Sequence, residues 1–186
     1  MPDRDCPESR NAVLEAFADT LIPGEKRYPQ DRAVAGVSEG GGAVASGAIE
    51  VLETPEGGMA PALGDLARLL GEHAVRFRAE QGLPRDDSEP FVGLGYDERL
   101  ALVGELLAPE HPEHAMWAGL AMFSFMAFDT GAHMHTADAM AAGHPGLAIL
   151  GFAPPGEDGL WRFPAYSYGR QLADIHPDTD PTGSPV

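Results

Sequence analysis

Apolar residues recur along much of the chain at the spacing of amphipathic α-helices. In a first helix, Val13, Phe17 and Leu21 lie four residues apart, which puts them on one face. Pro23 and Gly24 end this helix, because proline disfavours helix at the residue before it and glycine permits the reversal that follows. The pattern therefore predicts a core helix with a fixed end.

The same periodicity predicts further helices that begin near Pro61, Asp97 and Pro112. Their apolar faces are formed by Leu63, Leu66, Leu70, Ala74 and Phe77 in the first of these, and by Leu100, Val103 and Leu107 in the second. The third, ending at about Asp129, is the most apolar and is expected at the centre of the core. Because no alternating run of β-branched residues occurs, we predict an all-α fold, a single helical domain of about five to six helices.

Small residues dominate residues 32–53, where glycine is interleaved with alanine, valine and isoleucine. Each interior glycine costs a helix roughly 0.5 to 1 kcal/mol relative to alanine. This element must therefore be held by close backbone packing or be broken around Gly40 to Gly42. The triple glycine lacks the lysine and the spacing of a phosphate loop, so phosphate binding is not expected.

The carboxyl-terminal part departs from the helical pattern. We predict a helical core over residues 7–144, an extended aromatic arm over residues 145–175 and a loose polar tail over residues 176–186. Such an arm stays ordered only by laying its rings against its own domain or against a partner. Its candidate binding residues for a substrate or a partner are Trp161, Arg162, Tyr166, Tyr168 and Arg170.

Composition and charge remove several classes of function. The 186 residues carry a formal net charge of −17, which repels a phosphate backbone or an anionic membrane face, so nucleic acid is not an expected partner. Cys6 is the only cysteine, which excludes an intrachain disulfide and fits a cytoplasmic protein. The longest apolar run, Ala115 to Phe128, is shorter than the ~20 residues that span a bilayer, so membrane insertion is not expected and the run reads as a buried helix.

Titratable side chains cluster where this apolar run ends, at Asp129, His133, His135 and Asp138. On a continuous helix His133 and His135 point nearly opposite ways, so a chelating pair requires extended backbone, which Gly131 permits. Histidines that cap or line a helix end are the structural alternative. No metal site is predicted, because the remaining histidines complete no ligand motif; they are His73, His111, His114, His144 and His176.

Acid–base catalysis is the sharper alternative for this cluster. Asp129 would orient His133 or His135 at the mouth of an apolar pocket that takes a small apolar substrate. The pocket would lie beneath Trp117, Met122, Phe123, Phe125 and Met126, with Tyr166 or Tyr168 closing it. The sequence contains no standard nucleophile or cofactor motif, so we expect this chain to bind no cofactor.

Two polar residues, Asp19 and Thr20, lie in the last turns of the first helix. An unpaired buried carboxylate is costly, so we expect Asp19 to accept hydrogen bonds from Thr20 or from loop amides, with Arg162 or Arg170 as a distant alternative. Both residues are therefore interpreted as structural, fixing the turn at Pro23 and Gly24 rather than taking part in chemistry.

The stretch Ala16-Phe-Ala-Asp-Thr-Leu-Ile-Pro-Gly24 resembles the amino-terminal motif of the gluconate 2-dehydrogenase subunit 3 family, and Gly151-Phe-Ala-Pro154 and Gly159-Leu-Trp161 resemble two of its later motifs. Members are small helical proteins that accompany a large flavin-dependent dehydrogenase of the glucose-methanol-choline type, typically in the bacterial periplasm with a cytochrome subunit. The resemblance implies a non-catalytic small subunit that binds and stabilises a flavoprotein, with the FAD in the partner.

Two departures from that family stand out. The sequence has no twin-arginine signal, and the run Leu160 to Arg170 is more aromatic than the family's usual ending. These departures suggest a divergent branch, beside a cytoplasmic oxidoreductase of secondary metabolism or with a task of its own. Two hypotheses stay open. One is an accessory subunit whose aromatic carboxyl-terminal arm and helix ends dock on a flavoprotein dehydrogenase or form a homo-oligomer. The other is a small all-α enzyme of natural-product biosynthesis.

Overall fold

The computed structural model describes residues 7–86, 88–152 and 178, and these residues form helices and no strand. In chain order the α-helices are α1 (Pro7–Leu21), α2 (Ala48–Glu53), α3 (Leu63–Glu80), α4 (Tyr96–Leu106), α5 (His114–Thr130), α6 (Thr136–Ala141) and α7 (Pro145–Ile149). Two short 3-10 turns, Pro55–Gly57 and Ala60–Ala62, connect α2 to α3. The predicted all-α class is confirmed. The seven described α-helices exceed the predicted number, because α6 and α7 are single short turns without an apolar stripe of their own.

The chain divides into two compact units, Met1–Phe152 and Ala153–Val186. Most of the second unit lies outside the described residues, so a single domain over residues 1–186 stays a prediction. The same holds for the arm beyond Phe152 and for the tail. The start of the arm was wrong, because residues 145–149 are helical: Pro145 occupies the first turn of α7, and the Nδ1 atom of His144 accepts a hydrogen bond from the amide of Leu147 at 3.3 Å.

Helix α1 is the centre of the described core and packs against α2, α3, α4 and α5. Its residue Phe17 is fully buried, and its ring centroid lies 6.2 Å from that of Trp117 on α5. The stripe predicted for α3 is confirmed, since all of its members are buried: Leu63, Leu66, Leu70, Ala74 and Phe77. The periodic pattern alone was therefore enough to orient α3. In α1 it was only partly right, because Phe17 is buried whereas Val13 and Leu21 are partly buried.

The buried face of α4 differs from the predicted one. Leu100 is exposed, whereas Leu102, Val103 and Leu106 are buried. The face is rotated because Arg99 points inward, where it is only 2% exposed. An arginine that satisfies carbonyl groups inside the core outweighed the apolar periodicity here.

Helix α5 is buried on one side only, although its sequence predicted a helix enclosed by the core. Trp117, Leu120 and Ala127 face the core, whereas Met122 is 53% exposed and Phe125 and Met126 are also exposed. Among the helices of the described residues, none combines the length and the apolar composition that crossing a bilayer requires.

The glycine-rich segment is broken, as the triple glycine suggested, and of residues 32–53 only the last six form a helix. Gly42 lies against the end of α1: the amide of Ala43 donates to the carbonyl of Ile22 at 3.0 Å, and a Cβ placed on Gly42 would lie 2.6 Å from the amide nitrogen of Gly24. The amide of Glu25 donates to the carbonyl of Gly40 at 2.7 Å. The glycines therefore serve close backbone packing against the turn that follows α1.

Candidate functional site

The polar pair at the end of α1 is buried and bonded to the backbone. Asp19 is 1% exposed, and its two carboxylate oxygens accept hydrogen bonds from the amides of Gly24 at 3.1 Å and Ala35 at 2.7 Å. Thr20 is not its partner, because the Thr20 hydroxyl donates to the carbonyl of Ala16 at 2.7 Å. Burial raises the pKa of Asp19, although the two amides and the charge of Arg99 act in the opposite direction. The predicted role of loop amides is confirmed.

Asp31 is a second buried carboxylate in this region, which the sequence analysis did not single out. It accepts from Arg27 at 2.8 Å and from the amide of Val34 at 3.2 Å, and Arg27 also pairs with Glu15 at 2.6 Å. Burial acts to raise the pKa of Asp31, but these hydrogen bonds outweigh it and hold the pKa below its ordinary value.

Arg99 completes this charged region from α4. Its Nη1 atom donates to the carbonyl of Ala33 at 2.7 Å and to that of Ala16 at 3.3 Å. The recess lined by Asp19, Gly24 and Arg27 has an interior of about 10 Å³, which is room for a single water molecule. The region therefore holds the loop after α1 in place, and it does not have the space of an organic binding site.

The predicted acid–base cluster is not assembled. Asp129 is exposed near the end of α5, and within the described part of the chain no hydrogen bond or ion pair joins it to either histidine. His135 is exposed and caps α6, its Nδ1 atom accepting from the amide of Ala137 at 3.3 Å. Gly131, with φ at +58°, ends α5 and turns the chain between the carboxylate and the histidines.

His133 is half-buried against Gly47, the residue before α2. Gly47 has φ at +87°, and a Cβ there would lie 2.6 Å from the Nε2 atom of His133, so the imidazole fills the place of the missing side chain. The ring centroid of His144 lies 6.2 Å away, and the buried Nδ1 atom of His133 has no hydrogen-bond partner. Burial lowers the pKa of His133; His144 acts in the same direction and Glu50 opposes it.

A different set of titratable side chains comes together between α3 and the start of α5. His73 lies on α3, and His111 and Glu113 lie in the connection before α5. Each of the three side chains places one ligand atom within 4.8 Å of the others. The Nε2 atom of His73 lies 2.7 Å from Oε2 of Glu113, and the indole N–H of Trp117 donates to that same oxygen at 3.1 Å. We call this set the His73–Glu113 cluster; all three of its members are partly buried.

Hydrogen bonds fix the proton positions in this cluster. A guanidinium only donates, so Nδ1 of His73, which is 2.8 Å from Nη2 of Arg76, accepts, and Nε2 carries the proton donated to Glu113. Likewise Nδ1 of His111 accepts from the amide of Glu113 at 3.1 Å. The hydrogen bonds from His73 and Trp117 lower the pKa of Glu113, so this carboxylate is ionised at neutral pH.

Sequence reasoning missed this cluster because His73 and Glu113 are 40 residues apart. The local signal was a His-x-Glu pair, His111 and Glu113, followed by Trp117 one helical turn later. Among the described residues, these three side chains form a group whose ligand atoms are close enough together to hold a metal ion. The group contains neither His133 nor His135.

The predicted apolar pocket is divided between two sides of α5. Trp117 and Phe123 are buried in the core, whereas Met122, Phe125 and Met126 are exposed on the opposite side. The aromatic arm residues proposed for binding lie outside the described residues; they are Trp161, Arg162, Tyr166, Tyr168 and Arg170.

Helix α7 packs against the end of α5, where Gly146 is so close to the carbonyl of Phe128 that no Cβ could fit. Beyond this contact Ile149 is 64% exposed, and Leu150 and Phe152 are also exposed. We call these exposed apolar side chains the α5–α7 surface; its members are Met122, Phe125, Met126, Ile149, Leu150 and Phe152.

A comparison with protein families matches residues 8–186 to a family of unknown function, DUF5987. Comparison with curated proteins and with solved structures gives no match. The kinship with gluconate 2-dehydrogenase subunit 3 therefore stays a prediction. Since the match spans nearly the whole chain, the protein belongs to the DUF5987 family.

Proposed function

We propose that this chain is a non-catalytic small subunit that binds and stabilises a flavin-dependent oxidoreductase in the cytoplasm, with the FAD held by the partner. The observation that supports this function is the exposed side of α5. The helix carries a single charged residue, Asp129, at its end, yet Met122, Phe125 and Met126 face outward. A helix that is apolar on all sides is normally enclosed by other protein.

The second support is the position of α7. It sets Ile149 and Leu150, both exposed, beside the end of α5, so that two neighbouring helices present uncovered apolar side chains. Exposed apolar surface of this kind marks a protein interaction site. Methionine and phenylalanine are enriched in the cores of such interfaces, and Met side chains adapt to a partner's shape.

Charge indicates what the partner's contact face is like. The chain has a formal net charge of −17, and Asp129 and Asp138 are exposed at the end of α5 and on α6. An acidic partner would be repelled, whereas an apolar patch with a basic rim is complementary. The resemblance of residues 16–24 to small subunits of flavin-dependent dehydrogenases gives that partner its class.

The test is co-expression of the full chain with the flavin-dependent dehydrogenases of the glucose-methanol-choline type encoded in the same genome. We expect one of them to co-purify in equal amounts, with the flavin absorbance in its own chain. Phe125→Glu places a charge on the exposed side of α5 and should weaken the complex by ~10-fold or more, measured by calorimetric titration. The matched control is Leu100→Glu on α4, a residue that is 48% exposed and should tolerate the same change.

Different failures have different meanings. If none of these dehydrogenases binds, and the chain by itself is a stable, monodisperse monomer, the proposed function is wrong. If a complex forms but Phe125→Glu binds as tightly as the wild type, the α5–α7 surface is not the interface. Self-association that Phe125→Glu abolishes, without any flavoprotein complex, would assign the surface to a second copy of this chain instead.

The catalytic alternative has less support. It requires Asp129 to orient His133 or His135, whereas Asp129 is exposed and bonded to neither. His135 already caps α6 with its Nδ1 atom. We therefore place the function in surface recognition rather than in acid–base chemistry at the end of α5.

A further inference from the structure

We propose that His73, His111 and Glu113 bind one divalent transition-metal ion of the zinc class, with coordination positions left open for water. This inference is independent of the proposed flavoprotein partner. It rests on one ligand atom from each side chain lying within 4.8 Å of the others.

The donor set selects the kind of metal. Two imidazole nitrogens and one carboxylate oxygen suit Zn²⁺ and its first-row neighbours, whereas Mg²⁺ and Ca²⁺ prefer oxygen ligands. Three protein ligands also leave a tetrahedral ion incomplete, which is the arrangement of zinc sites that hold a water molecule. A fourth protein ligand is absent from the group that the described residues form.

The ligand atoms of His73 and Glu113 must move apart before an ion fits between them. Ligand atoms around a tetrahedral zinc ion lie ~3.4 Å apart, whereas Nε2 of His73 and Oε2 of Glu113 are 2.7 Å apart. A side-chain rotation that opens this pair admits the ion. The indole N–H of Trp117, which donates to Oε2 of Glu113 at 3.1 Å, holds the carboxylate from outside the coordination shell.

Protons must move when the ion binds. The Nε2 atom of His73 carries a proton in the metal-free protein, because Arg76 donates to Nδ1. An ion on Nε2 requires the other neutral tautomer of His73, with the proton on Nδ1 and no net proton released, so Arg76 must swing away from Nδ1. Arg76 is exposed and free to do so. Metal affinity should therefore be limited by the Arg76 guanidinium.

The experiment uses the full chain carrying an affinity tag without histidine, stripped with a chelator and titrated with Zn²⁺ by calorimetry. We expect one ion per chain, and visible absorption bands when Co²⁺ replaces Zn²⁺. His73→Ala and His111→Ala should each weaken binding by ~100-fold or more. His135→Ala is the matched control, because His135 is exposed and lies outside the cluster. This variant should bind Zn²⁺ with the wild-type affinity.

A second variant separates metal binding from a purely structural hydrogen-bond anchor. Arg76→Gln replaces the donor beside Nδ1 of His73 with an amide that can accept its proton, so we expect Zn²⁺ affinity to increase several-fold. The change leaves the ligands in place and does not depend on a destabilised variant folding. Absence of binding at millimolar Zn²⁺ and Co²⁺, or one-ion binding that His73→Ala and His111→Ala leave unchanged, would overturn the metal site.

Discussion

The carboxylate of Asp19 accepts a hydrogen bond of 2.7 Å from the amide of Ala35, sixteen residues further along the chain. The other carboxylate oxygen accepts a hydrogen bond from the amide of Gly24. One buried side chain at the end of α1 therefore binds both ends of the loop that follows. The motif that ends α1 therefore fixes a long connection as well as a helix end.

Replacing Asp19 should be strongly destabilising. Asp19→Ala leaves the amides of Gly24 and Ala35 without an acceptor in a site that is 1% exposed, and removes the charge that faces Arg99. We expect the free energy of unfolding to fall by about 2 to 4 kcal/mol. Urea denaturation at pH 7 measures this as a lower midpoint with an unchanged slope.

Thr20→Val is the matched control for that prediction. Thr20 is equally buried, but its hydroxyl only donates to the carbonyl of Ala16 within the same helix. Valine keeps the shape and leaves no loop amide unpaired, so the expected change is less than about 1 kcal/mol. Equal losses in the two variants would show that Asp19 does not tie the loop.

Gly42→Ala should also destabilise the fold. A Cβ on Gly42 would collide with the carbonyl of Ile22 and lie 2.6 Å from the amide nitrogen of Gly24, and backbone atoms cannot rotate away. The expected loss is about 1 to 3 kcal/mol, or more if the bond from Ala43 to Ile22 breaks. Thermal unfolding would record a lower midpoint.

The control for Gly42 is an exposed helical glycine. Gly104 lies within α4, and a Cβ added there meets nothing within 4 Å. Gly104→Ala should therefore stabilise the protein by about 0.5 to 1 kcal/mol, because alanine restricts the unfolded chain and favours helix. Destabilisation of similar size in both variants would contradict the steric explanation.

His133 should make stability depend on pH. Its pKa lies below the ordinary value of 6.5 in the folded state, so the unfolded chain takes up the proton first as the pH falls. The contribution of the neutral His133 imidazole to the free energy of unfolding is fully present above about pH 6.5 and is lost on acidification through the folded-state pKa. The free energy of unfolding then falls by at most about 1.4 kcal/mol per pH unit. Urea midpoints at several pH values between 7.5 and 5.5 measure it.

Comparison with variants isolates this histidine from its neighbours Glu50 and His144, which shift its pKa in opposite directions. His133→Gln should make stability fall less steeply on acidification than in the wild type. His135→Gln, at an exposed position, should leave the wild-type pH dependence in place. If His133→Gln has the same pH dependence as the wild type, the proposed burial of the neutral imidazole is wrong.

The sequence predicted most of the fold because the relevant signals are local. The end of α1 follows from Pro23 and Gly24, and the buried face of α3 follows from residues three and four apart, with Phe77 as its last member. The face of α4 was wrong because Arg99 binds the carbonyls of Ala16 and Ala33, groups that no local pattern contains. The exposed side of α5 was missed for a related reason, since an apolar helix has no charged side chain to mark where the core stops.

The sequence by itself determined the all-α class and the end of α1, and it limited the glycine-rich segment to close packing or a break at the triple glycine. These depend on backbone preferences and on side-chain intervals of a few residues. Only the tertiary structure decided that Asp129 is not bonded to His133, that His133 fills the space beside Gly47, and that His73 meets Glu113 across 40 residues. Such pairings depend on how whole helices pack, because a side chain's chemistry does not encode which distant group will lie beside it.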